Sequence, residues 1–495
     1  MYVRSEDLRV ARVARAIVFI LASTIASGSK PVPVPDSAVQ SGAPKPSGSP
    51  SASTDVGPTP PPALKSEHWE GKLVVGPGIQ LRLVLHLSRG HDGSAQATVD
   101  SPDQGATGMR ADGVTRDKQT LAFSLKDLGA TYTGRVNAEG TQAVGDFIQG
   151  GATIALTMTR VTKPSEARRP QTPTPPFPYR AEEVTYANAP GGVTLAGTLT
   201  IPSGSGPFPA VILITGSGAE DRDETIFGHK PFLVLADDLT RKGVAVLRVD
   251  DRGVGGSTGS VPASTSEDFA GDVLAGISFL MGRKDIDPAR IGLIGHSEGG
   301  IIAPMVALRS KNVAFIITLA GPGIPGAELL ALQNTVMARA MGMREDELQR
   351  ANALNQRLYA AVATAPDGKS AEAAVRPILT QSPGTPATHE AAVRELTSPW
   401  FRYFIKYDPA PALAKVKCSI LALNGSKDMQ VPPRENLAAI KKANPRASTV
   451  ELPGLNHLFQ RAQTGAPTEY ATIEETFDRG ALDAISGFVI EQTKR

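Results

Sequence analysis

The sequence predicts two folded parts: a small antiparallel β barrel or sandwich, followed by a larger α/β fold in which a mostly parallel sheet is flanked by helices. Three observations predict this arrangement. Residues 81–87 place four leucines on one face of a strand, the pattern of a strand that is buried on one side. Residues 291–294 and 313–319 are almost continuously apolar, as parallel strands buried on both faces are. The length of 495 residues leaves room for both parts and for linkers.

The chain starts with a segment typical of a bacterial secretory signal peptide. Four arginines among residues 4–15 precede the short apolar run 16–22, and small residues follow, with a cleavage position after Ala26. We expect residues 1–29 to be this signal peptide and the protein to be exported, either periplasmic or secreted. The apolar run is short for a membrane span, so we expect no stable membrane insertion after processing, and an uncleaved anchor is the alternative.

Changes in composition predict the domain boundaries that follow. Residues 30–65 are rich in Pro and Ser and cannot bury enough apolar surface to offset the entropy of ordering, so we expect a disordered linker. Short alternating strands then predict a small all-β domain over residues 66–163. A second Pro-rich linker over residues 164–180 leads to the α/β domain, residues 181–495.

The motif G-H-S-E-G at residues 295–299 is the strongest functional signal in the chain. It lies between the apolar run 291–294 and residues 301–309, which can form a helix. A G-x-S-x-G sequence at a strand-to-helix turn is typical of a nucleophile elbow, in which small residues let the serine hydroxyl stand clear of the sheet. An ordinary Gly/Ser turn is the alternative, and the flanking strand and helix favour Ser297 as a nucleophile.

A serine hydroxyl becomes a strong nucleophile only with a histidine base, and two histidines follow Ser297. His457 follows the apolar segment 448–452, where a last strand is expected to end. His389 lies in a Pro/Thr/Ala-rich stretch with no strand beside it. The sequence therefore predicts His457 as the base.

The base in turn needs a carboxylate that orients it. Asp428 comes shortly after the predicted strand 418–424 and before His457, which gives the order serine, acid, histidine. Asp408 is the alternative, but no strand precedes it. We therefore expect Asp428 to be the acid.

An oxyanion hole requires backbone N–H groups directed at the carbonyl oxygen of the substrate. One donor is expected from the amide of Glu298 and the other from Ser217 or Gly218, in the loop after the predicted strand 209–214. The sequence does not decide between these two. For the side chain of Glu298 we expect either exposure to solvent or an ion pair with Arg252, and we adopt the ion pair as the hypothesis.

Together these motifs resemble the bacterial EstD-type carboxylesterases of the α/β-hydrolase superfamily, over roughly residues 181–495. The resemblance implies an α/β-hydrolase fold, serine-dependent ester hydrolysis with no metal or organic cofactor, and a triad of Ser297, Asp428 and His457. Members often carry a small β-rich domain in front. The motifs that carry the resemblance are T-G-S-G at 215–218 with D-R-D at 221–223, D-D-R-G-V-G at 250–255, G-H-S-E-G-G at 295–300 and N-H-L-F-Q at 456–460.

An insertion separates the predicted strands 313–319 and 418–424, and it is too long for a simple crossover. We interpret residues 324–408 as a helical lid over the active site. Trp400, Met337 and Met341 are its candidate substrate-binding residues, since methionine allows an adaptable pocket. The alternative is that these side chains form only the apolar core of the lid.

The formal net charge of +2 predicts no basic surface, so we expect no nucleic-acid partner. His68, His86 and His91 lack the spacing of metal ligands, and no metal site is expected. The leading prediction is a serine hydrolase that cleaves small-molecule carboxylic esters with short to medium acyl chains through an acyl-enzyme. The alternatives are a thioesterase or amidase/peptidase with the same triad, and a binding or adhesion protein in which the β domain is the functional part. The sequence leaves the oligomeric state open.

Overall fold

The computed structural model describes residues 67–76, 79–89, 95–102, 106–149, 152–165, 168–382 and 384–494. The predicted signal peptide 1–29 and the linker 30–65 lie outside the described residues. The described chain divides into two compact units, one ending at Ser165 and the other running from residue 168 to residue 494.

The first unit is a closed barrel of eight strands, in which each strand pairs with the next and β8 pairs with β1. All of these pairs are antiparallel. Of the two predicted alternatives, barrel and sandwich, the structure therefore shows the barrel. The strands are β1 (Glu67–Gly76), β2 (Ile79–Arg89), β3 (Ala95–Ser101), β4 (Ala106–Arg116), β5 (Thr120–Leu125), β6 (Ala130–Val136), β7 (Gln142–Gln149) and β8 (Ala152–Val161).

The period-two pattern of the strands fills the barrel interior. In β6, buried and exposed residues alternate strictly from Ala130 to Val136. Trp69 on β1 is fully buried and lies opposite Leu85 of β2, which is also fully buried. Because successive side chains of a strand point to opposite faces, one face of each strand forms this apolar interior.

The second unit contains an eight-stranded sheet in the order β16-β15-β14-β13-β11-β12-β10-β9. The strands from β16 to β12 pair in parallel, and β10 and β9 add an antiparallel edge. The predicted α/β fold is confirmed. Its strands are β9 (Arg180–Asn188), β10 (Val193–Ile201), β11 (Phe208–Ile214), β12 (Ala245–Val249), β13 (Ile286–His296), β14 (Val313–Leu319), β15 (Ser419–Gly425) and β16 (Ser448–Leu452).

Helices cover both faces of this sheet and fill the insertion between β14 and β15. None of the helices in the described residues is both long and apolar enough to cross a lipid bilayer. The helices are α1 (Pro231–Arg241), α2 (Ser266–Met281), α3 (Gly299–Ala307), α4 (Gly326–Ala340), α5 (Glu345–Thr364), α6 (Gly368–Thr380), α7 (Pro386–Leu396), α8 (Pro399–Phe404), α9 (Ala410–Lys415), α10 (Pro433–Ala443) and α11 (Arg479–Thr493).

Two apolar layers, one on each face of the sheet, explain the continuous apolar runs of its strands. Ile212 of β11 belongs to the layer that α2 and α3 cover. Its neighbour Val211 belongs to the layer that α1 and α11 cover. Because both faces are buried, every residue of a central strand is selected for apolar character. Each fully buried Val, Leu or Ile contributes about 1.5–3 kcal/mol.

The insertion forms a third apolar cluster of its own. Helices α4 to α9 lie between β14 and β15. Leu358 and Val362 of α5, Val375 of α6 and Val393 of α7 pack together there, and Phe401 of α8 joins them. The helical part of the predicted lid therefore has an internal core that does not depend on the sheet.

Candidate active site

Ser297 occupies the sharp turn between β13 and α3. Its backbone has φ of 50°, in the left-handed region that non-glycine residues rarely adopt. A Cβ on Gly295 would lie 2.0 Å from the carbonyl oxygen of Gly299, and a Cβ on Gly299 would lie 2.3 Å from that of Ile214. Both glycines of the motif are thus required by close backbone approach, as in a nucleophile elbow.

Asp428 and His457 are brought together from the ends of the last two strands. Asp428 follows β15, His457 follows β16, and Asp428 Oδ2 lies 2.9 Å from His457 Nδ1. The other carboxylate oxygen accepts the N–H groups of Gln430 at 2.9 Å and Val431 at 2.8 Å. The turn after β15 therefore fixes the carboxylate, and the carboxylate fixes the imidazole ring.

His296 and Glu224 form a second histidine and carboxylate pair next to the elbow, which no sequence motif indicated. His296 Nδ1 is 2.9 Å from Glu224 Oε1, and His296 Nε2 is 3.0 Å from the backbone carbonyl oxygen of His457. The rings of His296 and His457 have centroids 4.8 Å apart. The residue before Ser297 thus holds the loop that carries His457 against the elbow.

The contacts of His296 also determine its charge. Both ring nitrogens face oxygen acceptors, so both carry a proton when Glu224 is ionised, and the ring is an imidazolium. Burial alone would lower the pKa of His296, but the Glu224 carboxylate and the carbonyl oxygen of His457 outweigh burial and raise this pKa above its usual value. The elbow therefore rests on a buried ion pair.

The loop after β11 lies against Ser297. A Cβ on Gly216 would be 3.3 Å from the Cβ of Ser297. The N–H of Gly216 donates to Glu224 Oε1 at 2.9 Å, so this amide is already in use. Within the part of the chain that the structure describes, the N–H groups of Ser217, Gly218 and Glu298 have no hydrogen-bond partner. The amide of Glu298 and those of Ser217 and Gly218 thus remain available as donors, and Ser217 and Gly218 stay alternatives.

The expected ion pair between Glu298 and Arg252 is wrong. Arg252 instead pairs with Asp272 of α2, through Nε at 2.6 Å and Nη2 at 3.0 Å. Glu298 is 2% exposed and accepts hydrogen bonds from Ser266 Oγ at 2.5 Å and from Trp400 Nε1, which lies 2.9 Å from each carboxylate oxygen. The sequence around Glu298 does not indicate that Trp400, a residue of the insertion, donates to this carboxylate.

Several carboxyl groups near the elbow have raised pKa values. Burial raises the pKa of Glu298 to about 7, although hydrogen bonds from Ser266 and Trp400 oppose the shift. Burial raises the pKa of Asp251 to about 8, where hydrogen bonds from Glu220 and Thr215 oppose the shift and the charges of Glu298 and Glu224 add to it. The elbow therefore lies in a region where ionised carboxylates are costly.

A family model described as "Alpha/beta hydrolase family" matches residues 211–472. The chain belongs to this family. The matched range contains the elbow at Ser297 as well as Asp428 and His457. In an alpha/beta hydrolase the nucleophile comes first in the chain, then the acid, then the histidine, which is the order found here.

Sequence relatives of this alpha/beta hydrolase include Esterase EstD from Thermotoga maritima, which is 28% identical over 300 residues, 60% of this chain and 66% of that protein. An uncharacterized protein from Mycobacterium tuberculosis is 32% identical over 126 residues, 26% of this chain and 41% of that protein. The chain thus spans at most about two thirds of the length of the curated relatives it matches.

Among solved structures, an esterase from Pyrococcus furiosus is similar to this hydrolase with a TM-score of 0.40 and 15% identity, over 67% of this chain and 98% of that chain. Est1E from Butyrivibrio proteoclasticus is similar with a TM-score of 0.36 and 15% identity, over 63% of this chain and 98% of that chain.

The predicted substrate-binding residues lie at different places in the insertion between β14 and β15. Trp400 is half-buried in α8 and packs against the apolar cluster of Ile301, Leu329, Phe404 and Val431. Met337, also half-buried, follows Leu329 by eight positions of α4 and thus lies about 12 Å farther along the helix axis. Met341 lies one turn beyond Met337. Contact of these methionines with substrate stays a prediction.

Titratable side chains elsewhere form small hydrogen-bonded groups. In the barrel, His86 lies 3.0 Å from His68, between the two Nδ1 atoms, and 2.8 Å from Asp100, between Nε2 and Oδ2. No group of three or more His, Cys, Asp or Glu side chains in the described residues is arranged to hold a metal ion. His91 lies outside these residues.

Proposed function

We propose that this alpha/beta hydrolase cleaves carboxylic esters, with Ser297 as the nucleophile, His457 as the base and Asp428 as the residue that orients the base. The observation that carries the proposal is the 2.9 Å contact between Asp428 Oδ2 and His457 Nδ1, in a loop that His296 ties to the elbow of Ser297. The name of the Thermotoga maritima relative, an esterase, supports an ester as substrate.

The reaction begins with proton transfer from the serine. Asp428 accepts the Nδ1–H of His457, which leaves the Nε2 lone pair free to take the Ser297 proton. Ser297 Oγ then attacks the ester carbonyl carbon, and the carbonyl oxygen becomes an oxyanion. The amide of Glu298 and that of Ser217 or Gly218 stabilise this charge, and one such donor contributes about 10²–10³-fold in rate.

The second half of the reaction regenerates the serine. His457 returns its proton to the leaving alkoxide, and the acyl group stays bound to Ser297 Oγ as an ester. A water molecule loses a proton to His457 and attacks the carbonyl carbon of this ester. The bond from that carbon to Ser297 Oγ then breaks, His457 returns the proton to Ser297 Oγ, and the carboxylic acid is released. No step needs a redox partner or an organic cofactor.

The acyl group is proposed to be short to medium in length. The support is the apolar cluster that contains Ile301, two positions after the first residue of α3, together with Leu329 and Phe404 of the lid. Trp400 closes this cluster from the side of α8. A cluster of this kind favours apolar acyl chains, and Met337 and Met341 are proposed to contact only the longer ones.

Export remains a proposal that rests on residues 1–29. Fractionation of cells that express the full chain, followed by sequencing of the mature amino terminus, tests it. Protein in the periplasm or medium with residues up to about 26 removed supports export. Full-length protein in the cytoplasm contradicts it, and full-length protein in the membrane fraction identifies the uncleaved anchor.

A fluorophosphonate probe tests the nucleophile directly. We expect the probe to label the folded protein at Ser297 and to leave the Ser297→Ala variant unlabelled. A p-nitrophenyl ester series of increasing acyl length, with thioester and amide analogues, then tests the substrate. Faster turnover of thioesters or amides than of esters would identify the protein as a thioesterase or an amidase instead. Absence of labelling and of turnover would favour a binding protein in which the barrel is the functional part.

A further inference from the structure

The carboxylate of Glu298 joins three separate parts of the hydrolase. Glu298 itself directly follows the nucleophile. Ser266, at the start of α2, donates to Oε1 at 2.5 Å, and Trp400 of the lid donates its indole N–H to the two oxygens at 2.9 Å. An indole N–H is a donor only, so a carboxylate is a natural partner for it in a buried position.

Both donors are held in place by their own helix ends. The side chain of Thr265 caps α2, with Asp268 bonding back to the Thr265 N–H at 2.9 Å, which fixes Ser266 in the first turn. In α8, Ser398 Oγ accepts the N–H of Phe401 at 3.1 Å, and Trp400 lies within this capped turn. The two caps thus present a hydroxyl and an indole to one buried carboxylate.

Apolar contacts place the ring of Trp400 close to the proposed machinery. The ring stacks on Phe404, with centroids 5.1 Å apart and an interplanar angle of 19°. The cluster against which it packs includes Ile301, four positions after Ser297, and Val431, whose N–H binds the carboxylate of Asp428. A change in the position of this ring therefore alters the apolar surface between the nucleophile and the acid.

We propose that Glu298 is a positioning residue that holds Trp400, and with it helix α8 of the lid, over Ser297, and so limits the length of the acyl chain that the site accepts. This inference rests on the proposed ester hydrolysis. The positioning role of Glu298 is distinct from its oxyanion role, because positioning uses the side-chain carboxylate and the oxyanion role uses the backbone amide. Loss of the carboxylate frees the indole and enlarges the apolar space beside Ser297.

Three variants separate the hydrogen bond from the ring. Trp400→Phe keeps an aromatic ring and removes the N–H, Trp400→Ala removes both, and Glu298→Met keeps roughly the length of the side chain and removes both oxygen acceptors. Tyr359→Phe is the matched control, since it removes a single lid hydrogen bond, from Asn334 Nδ2 at 3.0 Å, that does not involve Glu298. Each variant is assayed on p-nitrophenyl esters from short to long acyl chains.

We expect the ratio of kcat/KM for long to short acyl chains to rise about fivefold or more in Glu298→Met and Trp400→Phe, mainly through a lower KM for the long esters. Tyr359→Phe should keep the parental ratio. A purely structural role would lower kcat/KM for every ester by the same factor. Unchanged ratios in both variants, with Ser297 still labelled by the fluorophosphonate, would overturn the positioning role and leave the esterase proposal intact.

A second readout does not depend on turnover. The chain has two tryptophans, Trp69 and Trp400, so a Trp69→Phe background makes Trp400 the sole indole fluorophore. We expect Glu298→Met in this background to increase acrylamide quenching of Trp400 about twofold or more, because the released indole samples solvent. Quenching equal to that of the background variant would show that Glu298 does not hold the ring, whether or not the protein is an esterase.

Discussion

His296 Nδ1 lies 2.9 Å from Glu224 Oε1, while the opposite nitrogen of the same ring lies 3.0 Å from the backbone carbonyl oxygen of His457. Two histidine and carboxylate pairs therefore meet at the elbow. In the pair of Asp428 and His457, the Asp428 carboxylate bonds Nδ1, and the proposed mechanism uses the opposite nitrogen, Nε2. The pair of Glu224 and His296 offers no free nitrogen, because both of its ring nitrogens are in use, and its role is to fix the position of His457.

Removal of the Glu224 charge is expected to lower both stability and activity. Glu224→Gln leaves His296 without its counter-ion in a buried site, and breaking a buried pair costs about 3–5 kcal/mol when the remaining charge stays. Loss of the proton from His296 would reduce this cost but would also break the bond to the His457 carbonyl. Thermal unfolding and kcat/KM on a short-chain ester measure the two effects.

Glu267→Gln is the control for this change, since Glu267 makes its ion pair with Arg309 at the surface. Surface pairs contribute about 0–1 kcal/mol, so the control should unfold close to the parent temperature. Parental stability and activity in Glu224→Gln would show that the pair below the elbow has no positioning role.

Replacement of the proposed acid is expected to affect kcat far more than KM. Asp428→Asn no longer holds His457 in the tautomer with a free Nε2, and loss of this orientation in a triad lowers kcat by roughly 10³–10⁴-fold. Steady-state kinetics on a p-nitrophenyl ester measure the change. Asp408→Asn is the matched control at the rival aspartate, and a larger loss there than in Asp428→Asn would exchange the two assignments.

The glycines of the elbow are expected to tolerate no side chain. In Gly295→Ala the new Cβ would lie 2.0 Å from the carbonyl oxygen of Gly299, so the turn must open and move Ser297. We expect loss of fluorophosphonate labelling together with a lower unfolding temperature. Labelling of Gly295→Ala at the parental rate would show that the turn can accommodate a Cβ at residue 295.

Gly487 of α11 provides the opposite case for comparison, because nothing lies within 4 Å of a Cβ placed there. Gly487→Ala is expected to stabilise the protein by about 0.5–1 kcal/mol through better helix propensity, with unchanged labelling. Chemical denaturation of the two alanine variants in parallel shows whether the effect at residue 295 comes from the close contact or from loss of glycine itself.

Stability is expected to fall as pH rises from about 5 to about 8. Burial raises the pKa of Asp251 to about 8 and that of Glu298 to about 7, so the folded state binds more protons than the unfolded state in this window. Unfolding becomes easier wherever the native state must release those protons. The raised pKa of His296 acts in the same direction, since the stability it contributes at low pH is lost as pH rises through its folded pKa.

Asp251→Asn should flatten this dependence, because the amide resembles the protonated carboxyl and does not titrate. The unfolding temperature measured across the window tests the expectation. Asp483→Asn serves as a control, since the Arg479 guanidinium holds the pKa of Asp483 below its usual value and the group stays ionised throughout. A parental slope in Asp251→Asn would mean that this carboxyl does not titrate in the window.

The parts of the fold that the sequence predicted well are those with a single dominant pattern. Strands β14 and β16 have the predicted bounds, and β14 is an almost continuous apolar run between polar loops. Strand β4 was not predicted as a strand. It contains few apolar residues, and Gly108 and Gly113 within it have positive φ, so alternation is weak there.

The site shows the same contrast. Asp428 and His457 follow strand ends, and strand order along the chain brings them to one edge of the sheet. The contact of Glu224 with His296 depends on a loop in which Glu224 and Phe227 have positive φ, a conformation that no local pattern indicates. The proposed partner of Glu298 was wrong for a related reason, because its donor Trp400 lies 102 positions away in the lid.

The separate apolar cluster of helices α5 to α7 has a consequence for the diversification of this enzyme. Because those helices pack on one another, the part of the insertion from α5 to α8 can be replaced as a unit. New insertions can be exchanged there while both layers that sandwich the sheet persist. Only the hydrogen bond to Glu298 and the neighbouring apolar contacts must form again, so substrate selectivity can change while the sheet and its helices stay the same.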